Sequence, residues 1–184
     1  MKKPYLIAVI TVLAAVIAGT VLGVLAARSD ELGKRFVDHR RKLTFFPPAG
    51  WLLTAPPEDL RRHFSRPGTE YSAHFEGPNP GDQCDLMVAN NRDRLAKMKD
   101  EQAKMKPEAG VQVNELVNDI RFINGVPAWV HEYSTKMESM LGYTVKVVLD
   151  RGDTKIVLSY AGSPKSIQQQ AKSISKSFNS IRLD

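Results

Sequence analysis

The sequence is short of the groups that carry chemistry. It has one cysteine, Cys84, in 184 residues, and a single thiol excludes a disulfide framework or a multi-thiolate metal site. Cys84 opens an apolar run and reads as a small core residue rather than a nucleophile. The four histidines, His39, His63, His74 and His131, are scattered. Neighbouring segments could bring His63, His74 and Cys84 together, but their spacing fits no closed zinc site. Gly-x-Ser-x-Gly, P-loop and dinucleotide fingerprints are missing. His131 and Glu132, adjacent on an expected strand, point to opposite faces and cannot act as a dyad. No catalytic residue, metal or cofactor is expected, and the chain reads as a non-enzyme. The 42% hydrophobic and 25% charged residues suit one globular domain, and exclude a disordered tail, a fibre and a multi-domain enzyme.

The formal net charge is +6, and it is unevenly placed. Eight of the 26 basic residues precede Leu43, against three of the 20 acids, which leaves the rest of the chain nearly neutral. A nucleic-acid binder needs its excess on the folded domain, where it can meet phosphates. Here the excess flanks an apolar segment, so nucleic acid is not an expected partner and a membrane is.

Tyr5 to Ala27 is a run of 23 residues without a charge. As a helix it is about 34 Å long, enough for a hydrocarbon core of about 30 Å. A cleavable signal peptide is the rival reading, with Lys2 and Lys3 as its basic start, but its apolar core needs only about 7–15 residues. We read an uncleaved signal-anchor: residues 1–4 a basic start, 5–27 a transmembrane helix, 28–42 a basic juxtamembrane tether and 43–184 the folded domain. Within the helix, Thr11, Ala15, Gly19, Gly23 and Ala27 recur every four residues, a small-residue stripe that lets another helix approach; such residues are also common in membrane helices by chance. Arg28, Lys34, Arg35, Arg40, Arg41 and Lys42 suit anionic lipid headgroups, and equally a solvated linker. Lys2 and Lys3 favour a cytoplasmic amino terminus and an extracytoplasmic domain, whereas the basic residues after the helix pull the other way.

The remainder alternates in the manner of strands. Leu43–Phe46 and Gly50–Leu53 read as short strands around Pro47-Pro48, and Pro57–His63 as a short helix with proline first. Thr69–Glu76 and Cys84–Ala89 are further strands. Asn90 is the expected cap of a helix with Asp93 in its first turn and a stripe of Leu95, Met98 and Met105. Val111–Ile123 and Val126–Thr135 flank Asn124-Gly125, a strong hairpin signal. Tyr143–Asp150 and Thr154–Ala161 complete an antiparallel meander. Ser163-Pro164 starts a last helix with Ile167, Ala171, Ile174, Phe178 and Ile181 on one face. Trp129, His131 and Tyr133 share a strand face, which is either core under a helix or a partner surface.

Three stretches together resemble the PsbP-like superfamily, which includes extrinsic photosystem II subunits and DcrB-like bacterial periplasmic proteins. They are Phe46-Pro47-Pro48-Ala49-Gly50-Trp51, then Gly125-Val126-Pro127-Ala128-Trp129 with Tyr133, and Val157-Leu158-Ser159-Tyr160 leading to Ser177-Phe178-Asn179-Ser180-Ile181. The resemblance spans residues 43–184. It implies an α+β fold, an α/β/α sandwich around a central antiparallel sheet, and brings no catalytic residues. The expected function is a membrane-anchored, extracytoplasmic accessory or assembly subunit of a larger integral membrane protein complex. The alternative is a tethered module that binds a small apolar or lipidic ligand in a cleft between sheet and helix.

Overall fold

The computed structural model describes residues 31–58 and 68–183. Along the chain these form β1 (Phe36–Asp38), β2 (Leu43–Phe45), β3 (Leu52–Thr54), β4 (Thr69–Glu76), β5 (Gln83–Asn90), α1 (Leu95–Lys104), β6 (Val111–Ile123), β7 (Val126–Met137), β8 (Met140–Arg151), β9 (Thr154–Gly162), α2 (Pro164–Gln169), α3 (Ala171–Asn179) and β10 (Arg182–Leu183). The expected Tyr5–Ala27 helix, its stripe and Arg28 lie outside the described residues, as does most of Pro57–His63. Among the described residues no helix is long and apolar enough to cross a membrane.

A seven-stranded sheet in the order β3-β4-β5-β9-β8-β7-β6 organises the molecule, antiparallel throughout. The expected meander is its second half. Its first hairpin turns on Asn124 and Gly125, at φ 51° and 80°, the left-handed pair that a two-residue connection of this type requires.

Alternation along the strands sorts side chains to two faces. On one, Phe75, Leu86, Val130, Val147, Leu158 and Tyr160 are buried in a single cluster with Ile167, Ile174 and Phe178 of α2 and α3. Ser163 caps α2, its Oγ accepting from the Ser166 N–H at 3.2 Å, with Pro164 following. The single helix expected after Ser163 is broken at Gln170, whose ψ is 4°. The Gln170 side chain explains the break: its Oε1 accepts from Trp51 Nε1 at 2.6 Å and its Nε2 donates to Asp82 at 3.2 Å. Ala171, expected on the apolar stripe, is exposed, and Ser173 and Ser177 are buried instead. Small residues there let α3 approach Tyr160, whose hydroxyl lies 2.7 Å from Ser177 Oγ.

The tether expected over 28–42 is corrected from Leu32 onward. Leu32 bridges Pro48, and β1 joins β2 and β10 in a small antiparallel sheet. Its Phe36 and Phe45 meet the Phe75 ring edge-on at 5.5 and 5.6 Å. The folded domain therefore begins about ten residues before Leu43. A three-residue strand among charged neighbours is too short to show a period; burial of Phe36 holds it in place.

Among the described residues, the opposite face carries only α1. That helix begins at Leu95, not after Asn90, and Arg94 at its cap position makes no side-chain cap bond. Asn90 instead ends β5, opposite Thr154, and Asn91 Oδ1 accepts the Asp93 N–H at 2.7 Å to close a local turn. Leu95 packs with Trp129 and Val148, and Met98 and Val157 lean on them.

Candidate docking face and pocket

The α1 face is built in rows, because residues directly opposite on antiparallel strands share a face. One row is apolar: Tyr71, Met87, Val157, Val148, Trp129 and Ile120 from β4 to β6. The next is polar across the whole sheet: Thr54, His74, Asp85, Ser159, Lys146, His131 and Asn118. Helix α1 lies over the β6–β8 part of the apolar row.

The polar row is largely satisfied from within. His74 Nδ1 lies 2.7 Å from Asp85 Oδ1, and the Tyr71 hydroxyl also donates to Asp85. Burial pushes His74 below its usual value and the Asp85 carboxyl up to about 6. At neutral pH the contact is therefore an imidazole N–H given to a carboxylate. At the other end a bulge between Glu115 and Val117 turns β6. Glu115 Oε2 then accepts from Asn118 at 2.8 Å and from His131 Nε2 at 3.1 Å, and Asn118 Oδ1 accepts from Trp129 Nε1 at 2.8 Å. Burial, aided by the Lys146 charge, pushes His131 below its usual value. A carboxylate has no proton to give, so the neutral ring donates from Nε2; its buried Nδ1 has no partner among the described residues.

Lys146 is the exception. Its Nζ sits 4.8 Å from the centre of the Trp129 ring, and it has no ion pair among the described residues. Burial pushes its ammonium below the usual lysine value. It borders a cavity of about 220 Å³ beneath α1, walled by Met98, Met105, Trp129, Val148 and Val157.

Trp129, His131 and Tyr133 do share this face, and their rings follow one another at 5.3 and 4.8 Å. As a surface the set is corrected: Trp129 is 2% and His131 4% exposed, because α1 and the Glu115 bulge cover them. Only Tyr133 is half-exposed. Exposed apolar groups lie beside them, on the edge strand β6 (Val113, Leu116, Ile120 and Phe122, the last 74% exposed) and at the β7–β8 turn (Met137, Met140, Leu141); Leu52 and Leu53 on the other edge strand, β3, are exposed as well. Register joins the two sets, since Val111, Met137 and Met140 are direct cross-strand neighbours.

The basic residues are divided between the two ends of β1. Lys34 and Arg35 precede it; Arg40, Arg41 and Lys42 form the turn after it. Arg41 pairs with Asp38 at 2.6 Å and Glu70 at 2.5 Å, and Arg40 with Glu70 at 2.6 Å. Burial raises the Asp38 carboxyl, but hydrogen bonds from Ser72 and Arg41 outweigh it and hold the group below its usual value. Arg151 donates to the Arg41 carbonyl at 2.8 Å. With Lys42 these side chains border an open groove of about 630 Å³. Of the residues proposed from sequence for headgroups, Arg41 is thus committed to folding and Arg40 is engaged at the surface.

On the other face a cleft of about 100 Å³ lies between the sheet and α2–α3, lined by Arg121, Glu132, Tyr143, Val145, Ile174 and Phe178 among others. That is far below the roughly 300–1,000 Å³ of a drug-sized site. No group of three or more metal-ligating side chains occurs among the described residues.

No protein-family model matches the chain, and no curated protein matches it in sequence. Solved structures do match in shape. The chain superposes on cyanobacterial PsbP (CyanoP) from Synechocystis sp. PCC 6803 with a TM-score of 0.61 and 11% identity, over 84% of this chain and 94% of that one. The fold is PsbP-like. LpqN of Mycobacterium tuberculosis, described as involved in cell envelope biogenesis, gives 0.53 and 11%, over 82% and 89% of the two chains. The Ran-binding protein Mog1p of Saccharomyces cerevisiae gives 0.52 and 8%, over 82% and 94%. At these identities the PsbP-like likeness concerns the fold alone.

Proposed function

We propose that this chain is a non-catalytic accessory subunit, held at a membrane by residues 5–27, that docks its PsbP-like domain onto a larger membrane protein complex with the domain on the extracytoplasmic side. The observation that carries the reading is the band of exposed apolar side chains along β6 and the β7–β8 turn. Exposed apolar side chains gathered on one part of a folded domain suit an interaction site, and these follow an open sheet edge that offers backbone groups as well. A relative in fold being Ran-binding supports the use of this scaffold for protein contacts. The stripe of Thr11, Ala15, Gly19, Gly23 and Ala27 would add a helix–helix contact within the bilayer.

Purification of the full chain in mild detergent tests this. Stoichiometric co-purifying subunits are expected with the wild type and lost with Ile120→Asp plus Phe122→Asp. Gly19→Leu with Gly23→Leu should insert normally and also shed partners; retention would place attachment in the domain alone. A phosphatase fused after Asp184 should be active if the domain is exported, and an inactive fusion overturns the orientation.

A further inference from the structure

We propose that the cavity beneath α1 binds a small amphiphilic carboxylate, its charge paired with Lys146 and its apolar body against Trp129 and the methionines of α1. The site lies apart from the β6 edge band and does not depend on the docking reading.

Charge pairing on this sheet face leads to Lys146. Asp85 is engaged by His74 and Tyr71, Glu115 by His131 and Asn118, and Asp150 by Lys155 at 3.0 Å. Lys155, fully enclosed, also donates to the Asn91 and Gly152 carbonyls at 2.8 and 2.5 Å, so it is satisfied. Glu101, which lines the same cavity, lies 3.7 Å from Lys97, both side chains being exposed. Lys146 alone among these groups is half-buried with no ion-pair partner among the described residues, which leaves its charge available to an incoming counter-charge. The cation–π contact with Trp129, at 4.8 Å, offsets only a small part of this.

Shape and chemistry set the occupant. Lys146 is the single cation among the cavity's described lining residues; Met98, Met105, Trp129, Val148 and Val157 form its apolar part, and Asn91, Gln102 and Glu101 complete the wall. One ammonium matches one carboxylate; a phosphate monoester carries about −1.5 to −2 at neutral pH and needs more positive charge than this wall offers. A volume of about 220 Å³ is below the roughly 300–1,000 Å³ of a drug-sized pocket, which limits the apolar body to a short chain or one ring. Met98 and Met105 suit a variable outline, since unbranched thioethers adapt their shape.

The test uses the full chain in nanodiscs of neutral phosphatidylcholine, with hexanoate as probe and hexanol and hexyl phosphate as comparators. The readout is the indole N–H resonance of Trp129, with that of Trp51, on the opposite side of the sheet, as the internal reference. Hexanoate should shift the Trp129 signal saturably, leave Trp51 unmoved and bind at least tenfold tighter than hexanol. Lys146→Met should lose that tenfold advantage, and Lys146→Arg should keep it. If Lys146→Met disturbs Trp51 and so fails as a folded control, the wild-type hexanoate-to-hexanol ratio decides alone. Equal binding of hexanoate and hexanol, or no saturable Trp129 shift, overturns the proposal; preference for hexyl phosphate overturns the carboxylate assignment.

Discussion

The two faces of the sheet are made by the same strands, yet they end in different states. One is closed by α2, α3 and the small sheet, with Tyr160 met edge-on by Trp51 at 5.1 Å and Phe178 at 5.3 Å. Among the described residues the other is crossed by one ten-residue helix that buries Leu95 alone of its own side chains, and it keeps a polar row, a cavity and an apolar rim. Packing consumes the first face for stability. The second retains groups that packing has not used, and a binding surface needs such groups.

The largest way to sharpen this contrast is Phe178→Ala. It removes a ring from the closed face and should cost about 3–5 kcal/mol, read by denaturant or thermal unfolding. Next, Gly77→Ala would place a Cβ 2.5 Å from the Asp82 Cβ and 3.1 Å from the Trp51 ring. Asp82 is pinned by Asn79 and Gln170 and accepts from Ser166, so the overpacking should cost about 1–3 kcal/mol.

A smaller effect belongs to the open face and depends on pH. Asp85 is pushed up to about 6 from 3.8 by burial, so between those values the folded chain holds a proton that the unfolded chain releases. Its contribution to stability is full below about 4 and is lost as pH rises through about 6. His74, lowered by burial, acts in the opposite sense. Asp85→Asn removes the Asp85 share, so variant stability relative to wild type should rise by about 2 kcal/mol between pH 4 and 7. A parallel pair of curves would show that Asp85 titrates normally.

The smallest expected effect breaks the comparison most directly. Ile120→Thr with Phe122→Ser on the exposed rim should change stability by only about 0.5 kcal/mol or less, while stoichiometric partners disappear from a mild-detergent preparation. A large loss of stability would mean that the rim is core.

Much of the fold was legible because its signals are local. Asn124-Gly125 announced a turn, alternation from Val126 to Gly162 announced three strands, and Ser163-Pro164 announced a capped helix. Where non-local partners intervened, the reading failed. Trp51 and Asp82 claimed the Gln170 side chain and broke that helix, and Phe75 recruited Phe36 into a strand that charge composition had disguised as tether. Leu116, Ile120 and Phe122 alternate as core residues do, but β6 lies at an edge, and nothing in the strand's own residues says so.

The candidate site was less visible still. Trp129, His131 and Tyr133 were legible as one face, because period two depends only on the backbone of a strand. Lys146 carried no signal: it is one lysine on an alternating strand. Its isolation follows from register, which sets it between Ser159 and His131 and gives each nearby acid to another donor. The sequence by itself determined the strand and helix periods, the tight turns and the apolar amino-terminal run, each set by neighbours within a few residues. Tertiary structure alone decided which sheet face was closed, which strand stood at the edge and which charge was left unpaired, because those depend on pairing between segments far apart in the chain.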